Sequence, residues 1–271
     1  MEAREISDLT LDLSQGIRNG DEGYLFGAPD QEVTGVVVTW KATLAAVRFA
    51  AAKGCNMLVT HEFLYDFEYT LPQPAYLQDA VNWKANMARQ NYLKNNSLIV
   101  YHWHGGMLRV RGVVERYREV FGLRKMKTTL DYGSPDPCFY LPGMIGDLKE
   151  PFSLGRLANQ TKKQLKLQHV RIIGDARKKI KRVGIGAGGE MLFTNMSSIN
   201  YFANIGVDAV IGGESDAYAA NFMMDSGLAL IETDHPATDN IAVRVCYEAV
   251  KRHLPDVPVE YYEHPSPWTY V

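Results

Sequence analysis

Four of the seven histidines in this 271-residue chain sit where short apolar runs stop. Met57-Leu58-Val59-Thr60 ends on His61-Glu62. Leu98-Ile99-Val100-Tyr101 ends on His102-Trp103-His104. Ala229-Leu230-Ile231 leads to Asp234-His235, with Asp239 four residues further on. Imidazole nitrogen and carboxylate oxygen together suit Zn²⁺, Fe²⁺ or Mn²⁺ better than Ca²⁺ or Mg²⁺. His61, Glu62, His102, His104, His235 and Asp239 are therefore candidate metal ligands. They exceed the needs of one tetrahedral ion, so one or two ions are expected. A two-ion site activates water and clamps an oxyanion, which points to hydrolysis. Glu214 follows another apolar run, Ala209-Val210-Ile211, and is the candidate base or substrate contact.

Spacing refines these assignments. If the strand ran on through His61 and Glu62, the two would face opposite sides; they share a site only if the chain turns there or if metals lie on both sides. His102 and His104, two apart on a strand, would share one face and could chelate. The competing reading is a polar sheet edge with Trp103 opposite. Gly105-Gly106 directly afterwards would let a ligand approach the backbone. His235 and Asp239 are spaced for one helical face, but Pro236 and Thr238 place the turn first, with Thr238 as N-cap of a helix from Asp239 to His253. An acidic residue in a first helical turn also needs no function, because it offsets the helix dipole. The run Gly184 to Gly189 lacks the Lys-Ser/Thr of a phosphate loop, so it is a weak signal for anion binding, and the competing reading is a tight turn packed on a neighbour. No GxSxG elbow is present, so serine catalysis is not expected.

Apolar runs that end in such residues are what buried parallel strands look like, and open α/β sheets bind ligands just beyond the carboxyl ends of their strands. The chain repeats this design. Eight residues lead from Gly54 to Glu62, from Gly206 to Glu214 and from Gly227 to His235. The segments read as an entry helix at 4–20, strands at 24–27 and 33–40, a helix at 43–53 and a strand at 57–60. A loop from Phe63 to Pro74 and a long helix from Ala75 to Asn95 follow, then a strand at 98–104 and a helix at 110–121. The second part reads as a helix at 154–165, a strand at 170–174, a basic turn at Lys178–Lys181 and a strand at 182–186. Helices at 195–205 and 217–226 then alternate with strands at 209–211, 229–231 and 257–262. Residues 35–62 and 183–214 share the same element order. The expected fold is thus α/β, with two similar halves made by internal duplication that face each other across a metal-binding cleft. The halves are expected at 1–130 and 154–271, with a linker or irregular crossover at 131–153, or a poorly regular strand there, although one compact unit is also consistent.

Composition narrows the class. The chain is 46% hydrophobic and 22% charged, with a formal net charge of −2, ordinary for a globular protein and without the basic footprint of a nucleic-acid binder. No apolar stretch reaches the roughly 20 residues of a membrane span, and the first residues lack a signal-peptide core. Cys55, Cys138 and Cys246 are scattered and odd in number, which fits apolar filler in a reducing cytoplasm rather than disulfides or a nucleophile.

From about residue 22 onward, an ordered set of motifs resembles the Ngg-one-interacting-factor-three-like family, whose members are named as GTP cyclohydrolase I type 2 homologues. Gly54-Cys55-Asn56-Met57-Leu58-Val59-Thr60-His61-Glu62 resembles its strand ending in Thr-His-His. Tyr101-His102-Trp103-His104 resembles its Tyr-x-x-His. The runs RIIGDARKKIKRVGIGAGG and GVDAVIGGE, and finally Asp234-His235-Pro236-Ala237-Thr238-Asp239, match further family stretches in order. The resemblance implies two similar α/β domains, a dinuclear metal site, a small-molecule substrate of nucleotide or heterocyclic type, and a homohexamer. Carried over by position, the family's ligands fall on His61, Glu62, Leu108, His235 and Asp239. Glu62 stands for a histidine, Asp239 for a longer carboxylate, and Leu108 for a carboxylate it cannot replace. Two functions are therefore expected in competition: a metal-dependent hydrolase, or a non-catalytic metal-binding or scaffold protein with a degenerate site.

Overall fold

The computed structural model describes residues 1–65, 82–128 and 143–271. The chain is α/β and divides into two compact units. One comprises 1–111 and 243–264, the other 112–242 and 265–271.

The first unit is built on a five-stranded sheet. Its strands are β1 (Gly23–Phe26), β2 (Val36–Thr39), β3 (Met57–Thr60), β4 (Ile99–His102) and β11 (Val259–Tyr262). Their spatial order is β1-β4-β3-β2-β11. β4, β3, β2 and β11 run parallel, and β1 closes one edge antiparallel to β4. Every residue of β2, β3 and β4 is buried. Parallel strands are covered on both faces, which is why these read as unbroken apolar runs. Helix α1 (Ala3–Leu13) opens the chain. Helix α2 (Leu44–Ala52) starts where the Thr43 hydroxyl accepts from Ala46 N, and Gly54 follows it at φ +72°, a left-handed turn that glycine adopts without steric cost. Helix α3 (Lys84–Asn95) supplies Leu93 to a core shared with Val37, Ala46, Leu58 and Val100.

The second unit holds six strands: β5 (Arg124–Thr128), β6 (Met144–Ser153), β7 (Arg171–Ile173), β8 (Lys179–Gly186), β9 (Ala209–Gly212) and β10 (Ala229–Glu232). Their order is β5-β6-β8-β9-β10-β7. β8, β9 and β10 are parallel, and the other pairings are antiparallel. Helices α4 (Val113–Phe121), α5 (Leu154–Gln164), α6 (Met196–Asn204) and α7 (Ala217–Ser226) belong to this unit. Helix α8 (His235–His253) begins in it and, from Val243, counts with the first. Ile145, Ile199, Phe202, Val210 and Leu230 form its core. Among the described residues, no helix is long and apolar enough to cross a membrane.

Several expectations are corrected. The stretch 131–153 is not a linker throughout: residues 144–153 are β6, and 131–142 lie outside the described residues. Pro151 lies within β6. It falls in the interval between Asp147 and Phe152 where the β6–β8 register shifts, and such irregularities tolerate a residue with no N–H. The basic turn at Lys178–Lys181 is largely strand: Ile180 is buried between exposed Lys179 and Lys181, the alternation of a strand. The long helix expected at 75–95 is seen as α3 alone, with 75–81 and most of the Phe63–Pro74 loop outside the described residues. The second half does not run from 154 to the end. β11 pairs in parallel with β2, so the chain returns to the first unit's sheet. Both units do contain a parallel strand–helix–strand, β2-α2-β3 and β8-α6-β9, within sheets of different strand order.

Candidate metal centre

In the first unit, β3 and β4 end side by side, with Thr60 opposite His102. Beyond Thr60 the chain turns. The Thr60 hydroxyl donates to the Glu62 carbonyl at 2.9 Å. The backbone N–H groups of His61 and Glu62 donate to the carbonyls of Thr39 and Trp40 at the end of β2. This turn answers the strand-face problem. His61, Glu62 and His104 each bring one ligand atom, all within 4.8 Å of one another, and all three residues are buried.

His104 is not a strand residue. β4 stops at His102, and His104 precedes a short 3-10 helix, Gly105–Arg109, with φ −88° and ψ −95°. The two rings nevertheless lie 5.4 Å apart, nearly parallel at 20°. His102 is fully buried. Its Nδ1 is 2.8 Å from the carbonyl of Asp21 and its Nε2 3.0 Å from that of His61. Burial pulls its pKa below the ordinary histidine value, against the pull of the Asp21 carbonyl. A neutral imidazole donates only one N–H, so it hydrogen-bonds one of these carbonyls while the ring packs between the two backbone segments. Ligation by His102 would displace one of these contacts. Nor is the backbone of Gly106 open to a ligand. A Cβ there would lie 2.4 Å from Trp103 Nε1 and 2.6 Å from Ser14 Oγ, so the space is filled by protein.

The sequence reading missed Asp21. Its Oδ2 lies 2.9 Å from His104 Nδ1, and its Oδ1 is buried with no hydrogen-bond partner among the described residues. Such an orphaned anionic oxygen favours positive charge nearby. Burial pushes the Asp21 pKa up, but the hydrogen bond and charge of His104 outweigh it, and the net shift is downward. Glu22, next in the chain, accepts from Gly106 N at 2.7 Å and Asn19 N at 3.1 Å, and burial raises its pKa. Both residues arrive because β1 is antiparallel: its first residue, Gly23, pairs with His102. Only that pairing brings the start of β1 to the edge where β3 and β4 end, and no spacing in the sequence signals it.

In the second unit, Gly186, Gly212 and Glu232 lie in register at the carboxyl ends of β8, β9 and β10. Helix α8 starts at His235 itself rather than at Asp239, because Pro236 fits a first helical turn, where its missing N–H costs nothing. His235 and Asp239 therefore share a face. His235 Nε2 lies 3.1 Å from Asp239 Oδ2, and His235 Nδ1 lies 2.7 Å from Glu214 Oε1. Glu214, expected to be a base, has one oxygen occupied by this histidine. Thr238 is not an N-cap. Its hydroxyl accepts from Gly188 N at 2.9 Å, and Tyr117 donates to its carbonyl at 3.0 Å. Of the two readings of the glycine-rich run, the packed turn is the one observed. Gly188 has φ +59°, and a Cβ on it would lie 2.7 Å from His235 Nε2.

A family model described as Duf34/NIF3 (NGG1p interacting factor 3) matches residues 8–267. The chain belongs to this family. A relative from Clostridium acetobutylicum, named GTP cyclohydrolase 1 type 2 homolog, is 21% identical over 221 residues, covering 80% of this chain and 76% of the relative. A protein of the same name from Pasteurella multocida is 29% identical over 124 residues, 46% of this chain and 47% of that one. Among solved structures, a Bacillus cereus protein related to NIF3 has a TM-score of 0.79 at 16% identity, covering 100% of this chain and 99% of its own. Reduced HcgD from Methanocaldococcus jannaschii has a TM-score of 0.73 at 17% identity, covering 97% and 98%. These structures share the fold.

Against the Duf34/NIF3 pattern stated above, the departure at Leu108 is an apolar one. Leu108 is buried in the 3-10 helix after His104. The carboxylates that the first unit does bring to its histidines are Asp21 and Glu62. Nitrogen and oxygen donors in groups of three fit a divalent transition ion in chemistry and number.

Proposed function

We propose that this protein is a metal-dependent hydrolase of a small molecule. The observation that carries the reading is the convergence of His61, Glu62 and His104 within 4.8 Å in the first unit. Two histidines and one carboxylate are a recurrent ligand set for a reactive divalent ion that keeps open positions. His235 and Asp239 of the second unit are further proposed ligands, and the metal is proposed to be Zn, Fe or Mn, as one ion or two. Such an ion, when bound, supplies an activated water and polarises the bond to be cleaved. The chain's own part is to hold imidazoles and carboxylates in place, with Glu62 and Asp239 balancing the charge. The names of the relatives support a nucleotide or heterocyclic substrate, and the family resemblance supports a homohexamer. No feature favours a nucleic-acid or membrane partner, and the buried unpaired Cys55 and Cys246 support a reducing cytoplasm.

A second reading has its own support. Leu108, buried where a ligand carboxylate is expected, favours a non-catalytic metal-binding or scaffold protein with a degenerate site. Elemental analysis of protein purified without added metal separates the cases, with His61→Ala and His235→Ala as controls. The hydrolase reading expects a stoichiometric transition metal that the His61 variant loses. Wild-type protein with no such metal sinks it. Metal without turnover, in a screen of nucleotides, heterocycles and generic esters, would favour the scaffold.

A further inference from the structure

We propose that Asp21 is a positioning residue that fixes the tautomer of one metal histidine, His104. The inference rests on the metal reading above and adds to it one residue outside the ligand set. The loop before β1 brings Asp21 Oδ2 to 2.9 Å from His104 Nδ1. His235 is not assigned this device: its Nδ1 lies 2.7 Å from Glu214 Oε1 and its Nε2 3.1 Å from Asp239 Oδ2, so a carboxylate faces each ring nitrogen and neither selects a tautomer.

The physical argument is one of proton placement. A neutral imidazole has one N–H and one lone pair, and an ionised carboxylate only accepts. The N–H must therefore sit on Nδ1, since a lone pair there would point at an anionic oxygen within hydrogen-bond range. The lone pair is left on Nε2, the atom a metal needs. Carboxylate–histidine–metal arrangements fix ring orientation and raise ligand basicity in this way. His102 shows the contrast. Both its ring nitrogens face backbone carbonyls, so no anion selects its tautomer, and it is not assigned this role.

The test uses the full-length protein and two readouts. The first is ¹⁵N NMR of the imidazole side chains in metal-free protein, assigned with single histidine variants. Wild type is expected to carry a proton on Nδ1 of His104. Asp21→Ala is expected to lose that preference at His104 and leave the signals of His235 unchanged. Asp21→Asn keeps a neutral acceptor and is expected to retain the tautomer, which also guards against an alanine variant that fails to fold. The second readout is Zn²⁺ affinity by competition with a chromogenic chelator. Asp21→Ala is expected to bind about 10–100-fold more weakly, with partial recovery in Asp21→Asn. A His104 protonated only on Nε2 in wild type, or unchanged affinity in Asp21→Ala, would overturn the proposal. Wild type with the expected tautomer but no zinc binding would instead overturn the metal reading and leave the proton placement standing.

Discussion

Trp103 donates its indole N–H to the Ser14 hydroxyl at 2.7 Å. Ser14 Oγ in turn donates to the Thr10 carbonyl at 2.7 Å. Both partners are 1% exposed, and Trp103 stands between His102 and His104. The bond thus ties the peptide that carries the histidines to the end of α1. Replacing Ser14 by Ala leaves a buried indole N–H without its acceptor. The expected cost is about 1–3 kcal/mol, read by urea denaturation. Unchanged stability would show that the indole finds another acceptor.

Gly213 and Gly227 make a contrasting pair. A Cβ on Gly213 would lie 2.3 Å from the Gly188 carbonyl oxygen, a backbone atom that cannot swing aside. Gly213→Ala is expected to cost about 1–3 kcal/mol through overpacking. Gly227 has φ +73° with nothing within 4 Å of its Cβ position, so Gly227→Ala carries only the left-handed backbone penalty of about 1 kcal/mol. Gly213→Ala should also perturb His235, because Gly188 packs against it. Equal melting temperatures for the two variants, with no change at His235, would contradict the packing argument.

The thiols of Cys55 and Cys246 are 1% and 0% exposed, and burial raises both pKa values. Thiolate is the reactive form. In a Cys138→Ser background, no fast-reacting thiol is expected toward an aromatic disulfide reagent at pH 8, and two thiols are expected once the protein is unfolded. A thiol that reacts within seconds in the native protein would refute this.

Acid stability should report on Asp21. Its folded pKa lies below the ordinary carboxylate value. Its contribution to stability is therefore complete above the unfolded pKa near 3.8 and is lost as pH falls through the lower folded value. Glu22 acts in the opposite sense. Burial raises its folded pKa, so its charged form opposes folding above that value and the penalty is relieved as pH falls. Asp21→Asn should flatten the loss of stability below pH 4, measured by denaturant midpoints. A variant that tracks wild type through this range would remove Asp21 from the account.

Metal removal should be visible in stability. An ion that binds only the folded chain stabilises it by about 4 kcal/mol at a thousand-fold excess over Kd. A chelator should lower the melting temperature of metal-loaded wild type and leave His61→Ala unmoved. An equal chelator effect on both would place the ion elsewhere.

Most of the elements were legible in the chain itself. The parallel strands β2, β3, β4 and β9 are buried at every position, so burial wrote them as apolar runs. Their helices are bounded by local chemistry, such as Thr43 and Gly54 around α2 and Asp216 at the start of α7. His61, Glu62, His104, His235 and Asp239 were visible for the same reason: each follows a strand that is obvious from its apolarity. Errors arose where a residue's meaning depends on a distant partner. Lys179 to Lys181 looked like part of a turn because only pairing with β6 reveals the strand. Pro236 looked like a break, although it suits the first turn of α8.

The chain alone thus determined which strand ends carry donors, since burial and capping are local or nearly so. Only the tertiary structure decided which carboxylate meets which imidazole. The antiparallel placement of β1 against β4 brings Asp21 to His104 across 83 residues, and the return of the chain through α8 sets β11 beside β2. Hydrogen-bond pairing between distant strands obeys no short sequence period, so these relationships appear only once the sheets have formed.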